Sequence, residues 1–202
     1  LFAKLEGPKI LVHGGGKLAT ELAERLGIAV KMIDGRRITD AETVEVITMV
    51  YGGKVNKHIV AGLQARNCNA LGFSGADGNT IYSVKRPVKN IDFGFVGDVV
   101  GVNSELIDKL LDIGITPAFC AITHDGKGQL LNTNADTIAC ELAIGLSKSY
   151  KVTLNYCFEK SGVLLDVAND DSVVREINTS KYSELLKDKI IADGMLPKLE
   201  NC

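Results

Sequence analysis

The sequence predicts an α/β protein: a three-layer αβα sandwich with a mainly parallel central sheet, plus β-hairpins. Strand-like and helix-like stretches alternate along the chain, and repeated β-α-β units require a parallel sheet with helices on both faces. A run of three glycines, Gly14-Gly15-Gly16, stands where the first strand passes into the first helix. Pro87 and Gly94 punctuate short strands between Thr80 and Val102, which adds a hairpin. At 202 residues, without an internal repeat, low-complexity tract or linker, the chain reads as a single domain, 1-202, long enough to bury a full core.

Lys9-Ile10-Leu11-Val12 is a short aliphatic strand, followed at once by His13-Gly14-Gly15-Gly16. Residues 17–26 are apolar at Leu18, Leu22 and Leu26, the spacing of one helix face. A long helix begins at Ala41, capped by Thr39 or Asp40, interrupted by Gly52-Gly53 and resumed to about Arg66. Ala70-Leu71-Gly72-Phe73 is a strand ending in the loop 74–78. Residues 104–113 form an amphipathic helix stopped by Gly114. Residues 115–122 read as one buried strand, 124–128 as a hairpin turn and 135–146 as a helix. Residues 151–156 read as a further strand and 181–187 as a further helix.

Hydrophobic residues at 46% and charged residues at 24% are the balance of a soluble globular protein. A net charge of −2 provides no global field for nucleic acid or an anionic membrane, and neither is expected as a partner. No apolar run approaches the length of a membrane span. The five cysteines have no Cys-x-x-Cys spacing, which points to free thiols in a reducing cytoplasm. The three histidines do not pair with them at ligand spacing, so no protein-held metal is expected. Charges interrupt the apolar residues at the start, which therefore does not read as a signal peptide. The chain starts in what reads as a helix end and stops in the first turns of another, so both ends of the natural protein are expected to be missing.

Four groups of residues carry candidate chemistry. At Gly14-Gly15-Gly16, bare backbone and a helix N-terminus make an anion site, because free N–H groups and the helix dipole favour negative charge. Asn132-Thr133-Asn134-Ala135-Asp136 places amides and a carboxylate at a helix start, more than capping alone uses. In the stretch Ile190 to Lys198, Gly194 frees the backbone before a helix and Lys198 follows one turn in, which reads equally as a phosphate-binding lysine, whose ligand would offset the unfavourable dipole, and as a solvated surface lysine. Gly35-Arg36-Arg37-Ile38-Thr39 offers an arginine fork for a carboxylate; taken alone, it reads as two surface arginines before a helix.

Together with Gly94-Phe95-Val96-Gly97-Asp98-Val99, and in this order, these groups resemble the amino acid kinase family and, within it, the N-acetylglutamate kinases. The resemblance implies the fold of that family, with an acceptor-binding part at about 1-150 and a nucleotide-binding part at about 151-202. It implies transfer of the ATP γ-phosphoryl to the γ-carboxylate of an N-acyl-L-glutamate, acetyl or succinyl, within arginine biosynthesis. Gly15 and Gly16 would hold that carboxylate and meet the transferred phosphoryl. Arg37 would bind the α-carboxylate, and Asn132 and Asn134 the amide and carboxylate ends. Asp136 would organise catalytic lysines, and Lys198 would reach the ATP phosphates. Glu159, Lys160, Ser161 and Gly162, with Ile191, Asp193, Gly194 and Met195, would cradle the nucleotide. Mg²⁺ would ride on the ATP phosphates, because the chain offers no acidic cluster for it. The resemblance also implies a homodimer, with the helix from 41 to 66 as a candidate interface through Val44, Ile47, Met49 and Val50.

The chain departs from the family at two places. The family's opening Lys-x-Gly-Gly strand has no counterpart in residues 1–8, and Glu159 stands where relatives carry an aspartate. These departures leave a non-catalytic ligand sensor on the same fold as the alternative to an enzyme.

Overall fold

The computed structural model describes residues 1–33, 35–159, 161–166, 168–188, 190, 191 and 199. Two compact units divide the chain, Leu1–Thr153 and Leu154–Cys202.

In the first unit, β1 (Leu11–His13) enters α1 (Gly16–Arg25) through the glycine turn, and β2 (Met32–Ile33) pairs antiparallel with β3 (Arg36–Arg37). Next, α2 (Ala41–Ile47), a π-helical segment (Thr48–Val55) and α3 (Asn56–Gln64) run end to end. They are followed by β4 (Ala70–Phe73), β5 (Ile81–Lys85), β6 (Gly97–Val102), α4 (Ser104–Asp112), β7 (Thr116–Cys120), β8 (Ile122–His124), β9 (Leu130–Asn132) and α5 (Ala135–Leu146).

Strands β1, β7 and β4 form a parallel sheet in that order, with His13 opposite Cys120 and Ala70 opposite Thr116. Alternation along β7 sends its buried side chains to opposite faces. Phe119 packs with Ile107 and Leu111 of α4 and Ile138 and Leu142 of α5. Cys120 packs on the other face, with Ala19 and Ala23 of α1, Ile47 of α2 and Tyr51. Helices thus cover both faces of this sheet. Each fully buried large side chain in these clusters contributes roughly 1.5–3 kcal/mol.

Four differences from the sequence reading have physical causes. First, the hairpin additions to the parallel sheet are larger than expected: among the described residues β6, β5, β8 and β9 form a four-stranded sheet of two antiparallel pairs that meet in parallel at Tyr82 and His124. The short returns inside 80–102 and 122–132 permit only antiparallel pairing. Second, the expected strand 115–122 splits at Ala121, whose carbonyl accepts from Thr133 N–H at 3.2 Å and turns the chain from one sheet into the other. Third, Gly52-Gly53 does not interrupt the long helix. A π-helical segment carries the chain through, held by buried Val50 and Tyr51, which outweigh the roughly 1 kcal/mol each glycine costs. Fourth, 151–156 forms no strand: Val152 and Leu154 are exposed, no ladder partner is found among the described residues, and the segment straddles the unit boundary.

Asp40, not Thr39, caps α2, accepting from Thr43 N–H at 2.9 Å. Val44, Ile47 and Val50 are buried within their own unit, which leaves Met49 alone of the suggested interface stripe exposed.

In the second unit, Leu164 bridges antiparallel to Val173, with Val174 N–H donating to the Val163 carbonyl at 2.7 Å. Helix α6 (Thr179–Lys187) starts two residues before the expected 181, capped by the Asn178 side chain, and buries Leu185.

Candidate active site

Gly15 is the N-cap of α1. Without a side chain it accepts nothing from the first-turn N–H groups, which are left for water or an anion. Its φ of 165° lies outside the left-handed region that favours glycine. The glycine is required by a neighbour instead: a Cβ would stand 2.7 Å from Tyr51 Cδ1 and 3.0 Å from Cε1. The Tyr51 ring, buried and with its hydroxyl pKa raised by desolvation, closes one side of the turn.

The start of α5 lies at the same place. A Cβ on Gly14 would lie 3.9 Å from Ala135 Cβ, and α5 packs along β1. Asn134 caps α5, its Oδ1 accepting from Thr137 N–H at 3.0 Å, and Asp136 sits in the first turn. The positive ends of α1 and α5 therefore meet at the C-terminal edge of β1, a favourable place for negative charge.

Arg37 completes one side. The β2–β3 hairpin brings its guanidinium to α1, where Nη2 donates to the Gly16 carbonyl at 3.1 Å and to Thr20 Oγ1 at 2.8 Å. Thr39, fully buried, accepts from Asn132 Nδ2 at 3.0 Å. The 94–99 stretch links them through the backbone: Phe95 N–H donates to the Thr39 carbonyl at 2.7 Å, and Asn132 N–H to the Phe95 carbonyl at 2.8 Å. Gly15, Gly16, Arg37, Asn132, Asn134 and Asp136, far apart in sequence, thus surround one strand end.

Behind the turn, His13 Nδ1 lies 2.8 Å from the Gly14 carbonyl and Nε2 lies 3.0 Å from Asn56 Nδ2. Burial lowers the His13 pKa below its usual value, more than the Gly14 contact raises it. A folded-state pKa below the unfolded one stabilises the protein above about pH 6.5, and that stability is lost as pH falls through the folded value. Urea unfolding at pH 7.5 and 5.5 is expected to show a loss of stability that shrinks in His13→Gln; an equal loss in both would assign it to other groups.

A cavity of about 210 Å³ opens beside this network at the end of β4 and the start of β8, lined by Asn56, Lys57, Phe73, Ser74, Asp77 and Ile122 among others. Among the described residues no group of three or more His, Cys, Asp and Glu side chains could hold a metal ion. In the second unit, Glu159 and Ser161 are exposed and Ile191 is buried. Lys160, Asp193, Gly194, Met195 and Lys198 lie outside the described residues.

Sequence reasoning passed over Tyr51, Asn56 and a site role for Thr39. Asn56 did carry a signal: asparagine is a poor helix former unless its side chain has work elsewhere. Tyr51 gave none, since an aromatic before a glycine pair reads as core.

Fold and site together define an α/β domain in which two helix N-termini and an arginine converge at one strand end. The whole chain, residues 1–202, matches the amino acid kinase family, and it belongs to that family. It is 59% identical over 200 residues to an acetylglutamate kinase of Bacteroides thetaiotaomicron, covering 99% of this chain and 78% of that one. It is 37% identical to one of Methanopyrus kandleri, covering 98% and 81%. Among solved structures, smu.665 from Streptococcus mutans UA159 superposes with a TM-score of 0.84 at 24% identity, covering 95% of this chain and 75% of that one. The N-acetylglutamate synthase of Neisseria gonorrhoeae, complexed with coenzyme A and N-acetyl-glutamate, gives a TM-score of 0.72 at 18% identity over 98% and 44%. These two share the fold.

Proposed function

We propose that this chain is a kinase that transfers the ATP γ-phosphoryl to the γ-carboxylate of N-acetyl-L-glutamate, giving ADP and N-acetyl-L-glutamyl 5-phosphate for arginine biosynthesis. The observation that carries this reading is the 59% identity to an acetylglutamate kinase across 99% of the chain. The converging helix N-termini and Arg37 support it physically.

The acceptor carboxylate, with a pKa of about 4.3, is already ionised at neutral pH and needs no general base. The difficulty is electrostatic, because an anion must attack a polyanion. Backbone N–H groups at Gly15 and Gly16, fixed before the reaction, offset charge as it builds on the transferred phosphoryl. Arg37 takes the acceptor's α-carboxylate; its guanidinium carries more N–H donors than the two bonds to α1 use. Asn132 and Asn134 hold the amide and carboxylate ends. Asp136 orients the lysines, and Lys198 reaches the ATP phosphates. The first unit serves the acceptor and the second the nucleotide, with Glu159, Ser161, Gly162 and Ile191 in its cradle. Mg²⁺ would ride on the nucleotide phosphates and water, where it would neutralise phosphate charge. Pairing as a homodimer and a cytoplasmic location belong to the same proposal. No described helix is long and apolar enough to cross a membrane.

Two variants separate binding from chemistry. Arg37→Ala is expected to raise the acceptor KM about 10- to 100-fold with little change in kcat, the value of a charged hydrogen bond. Lys198→Ala is expected to lower kcat about 100-fold. Unchanged kinetics in either variant would remove that residue from the site. The reaction itself is tested by MgATP-dependent acyl phosphate formation, trapped with hydroxylamine, with N-acetyl- and N-succinyl-L-glutamate side by side. Product from N-acetyl-L-glutamate supports the proposal. Silence with both acceptors would favour a ligand sensor.

A further inference from the structure

His13 ends β1 immediately before the glycine turn, and Asn56, the first residue of α3, holds it from behind. Asn56 is 1% exposed, and β4 makes room for it: a Cβ on Gly72 would overlap Asn56 Oδ1. The hydrogen bonds around Asn56 leave one consistent set of protons. Its Nδ2 is 2.8 Å from the Ala118 carbonyl, which only accepts, so the amide NH₂ faces that side. Its Oδ1 accepts from Lys57 Nζ at 3.2 Å. The NH₂ group is also 3.0 Å from His13 Nε2, and having only hydrogens to offer, it requires Nε2 to accept. A neutral imidazole that accepts at Nε2 carries its proton on Nδ1, which donates to the Gly14 carbonyl at 2.8 Å.

The consequence falls on the next peptide group. The Gly14 carbonyl and the Gly15 N–H belong to one planar trans peptide, so they point in opposite directions. We infer that His13, locked in the Nδ1–H tautomer by Asn56, holds the Gly14–Gly15 peptide with its N–H turned away from the imidazole, toward the anion site at the start of α1. His13 and Asn56 are positioning residues and touch no substrate. A peptide free to flip would aim a carbonyl oxygen at the anion and withdraw a donor at the same time. The inference rests on the kinase reading, in which the Gly15 N–H meets the transferred phosphoryl.

The test uses the full chain in the hydroxylamine assay, with two substitutions that separate the ring nitrogens. His13→Gln places its amide near the Nε2 position and leaves the Gly14 carbonyl without its donor. His13→Asn places an amide N–H at the Nδ1 position. H13Q is expected to lose about 10- to 100-fold in kcat, below the full loss of a donor, with the KM values for ATP and acceptor nearly constant. H13N is expected to recover most of that loss. A role in stability alone would lower both variants together and would not split kcat from KM. A wild-type protein that forms no acyl phosphate overturns the kinase reading itself. An active wild type matched by an equally active H13Q overturns this inference alone. Should the variants fail to fold, the imidazole ¹⁵N resonances of the wild type decide: a proton on Nδ1 supports the inference and a proton on Nε2 overturns it.

Discussion

Gly15→Ala is expected to cost about 100- to 1000-fold in turnover while the protein stays folded, the scale of losing a preorganised oxyanion donor. φ at Gly15 lies outside the left-handed region, so the loss does not come from a left-handed backbone. The loss comes from the Tyr51 ring, whose Cδ1 would lie 2.7 Å from the new Cβ, with Val55 Cγ2 at 3.5 Å behind it. Either the ring or the turn must give way. Tyr51 is buried in the cluster of Ala19, Ile47 and Cys120, and a packed interior does not yield readily. The solvent-facing turn moves instead, and its N–H groups leave the positions the reaction needs. The double variant Gly15→Ala/Tyr51→Ala removes the obstacle and is expected to regain part of the turnover, though with reduced stability from the emptied ring site. Hydroxamate kinetics and thermal melts on the single and double variants check both statements. Wild-type turnover in the single variant would show that the reacting groups do not depend on the position of this turn.

The local structure of this candidate site is legible in the chain, because it rests on short patterns. The glycine turn after an aliphatic strand, and Asn134 before an apolar helix, are strand-end and helix-start signals that the structure places as expected. Arg37, taken alone in the chain, reads as a surface arginine. What settles its place is the hairpin with Met32 and Ile33, a pairing of strands two residues long that carries almost no periodic signal. Tyr51 and Asn56 were illegible for a different reason. Their importance comes from what they touch across the fold, Gly15 for one and His13 with Ala118 for the other. The split of 115–122 at Ala121 belongs with these, since a uniformly apolar run does not reveal where the chain changes sheets.

Gly94→Ala carries the largest expected loss of stability. Gly94 sits at φ +70°, where a side chain costs roughly 1–2 kcal/mol. A Cβ there would also overlap the Thr39 carbonyl oxygen and stand 2.8 Å from its carbon. Backbone cannot rotate aside as a side chain does, so residues 93–95 and Thr39 must separate. That separation breaks the bonds from Thr39 N–H to the Phe93 carbonyl at 2.9 Å and from Phe95 N–H to the Thr39 carbonyl at 2.7 Å. Buried groups left unpaired cost about 1–3 kcal/mol each, so a total of roughly 4 kcal/mol and a fall in Tm of about 10 °C are expected. Gly27→Ala separates the two causes. Gly27 has nearly the same φ, +74°, and nothing within 4 Å of a Cβ, so it carries the strain without the overlap. Melts of the two variants should differ by more than half of the Gly94→Ala loss. Equal losses would mean that Thr39 moves freely, and then the link from Thr39 to Asn132 could not hold the acceptor side of the site in place. If the larger loss is found, acceptor KM in Gly94→Ala, measured well below its Tm, should rise as well, because the same overlap displaces the Thr39 hydroxyl from Asn132.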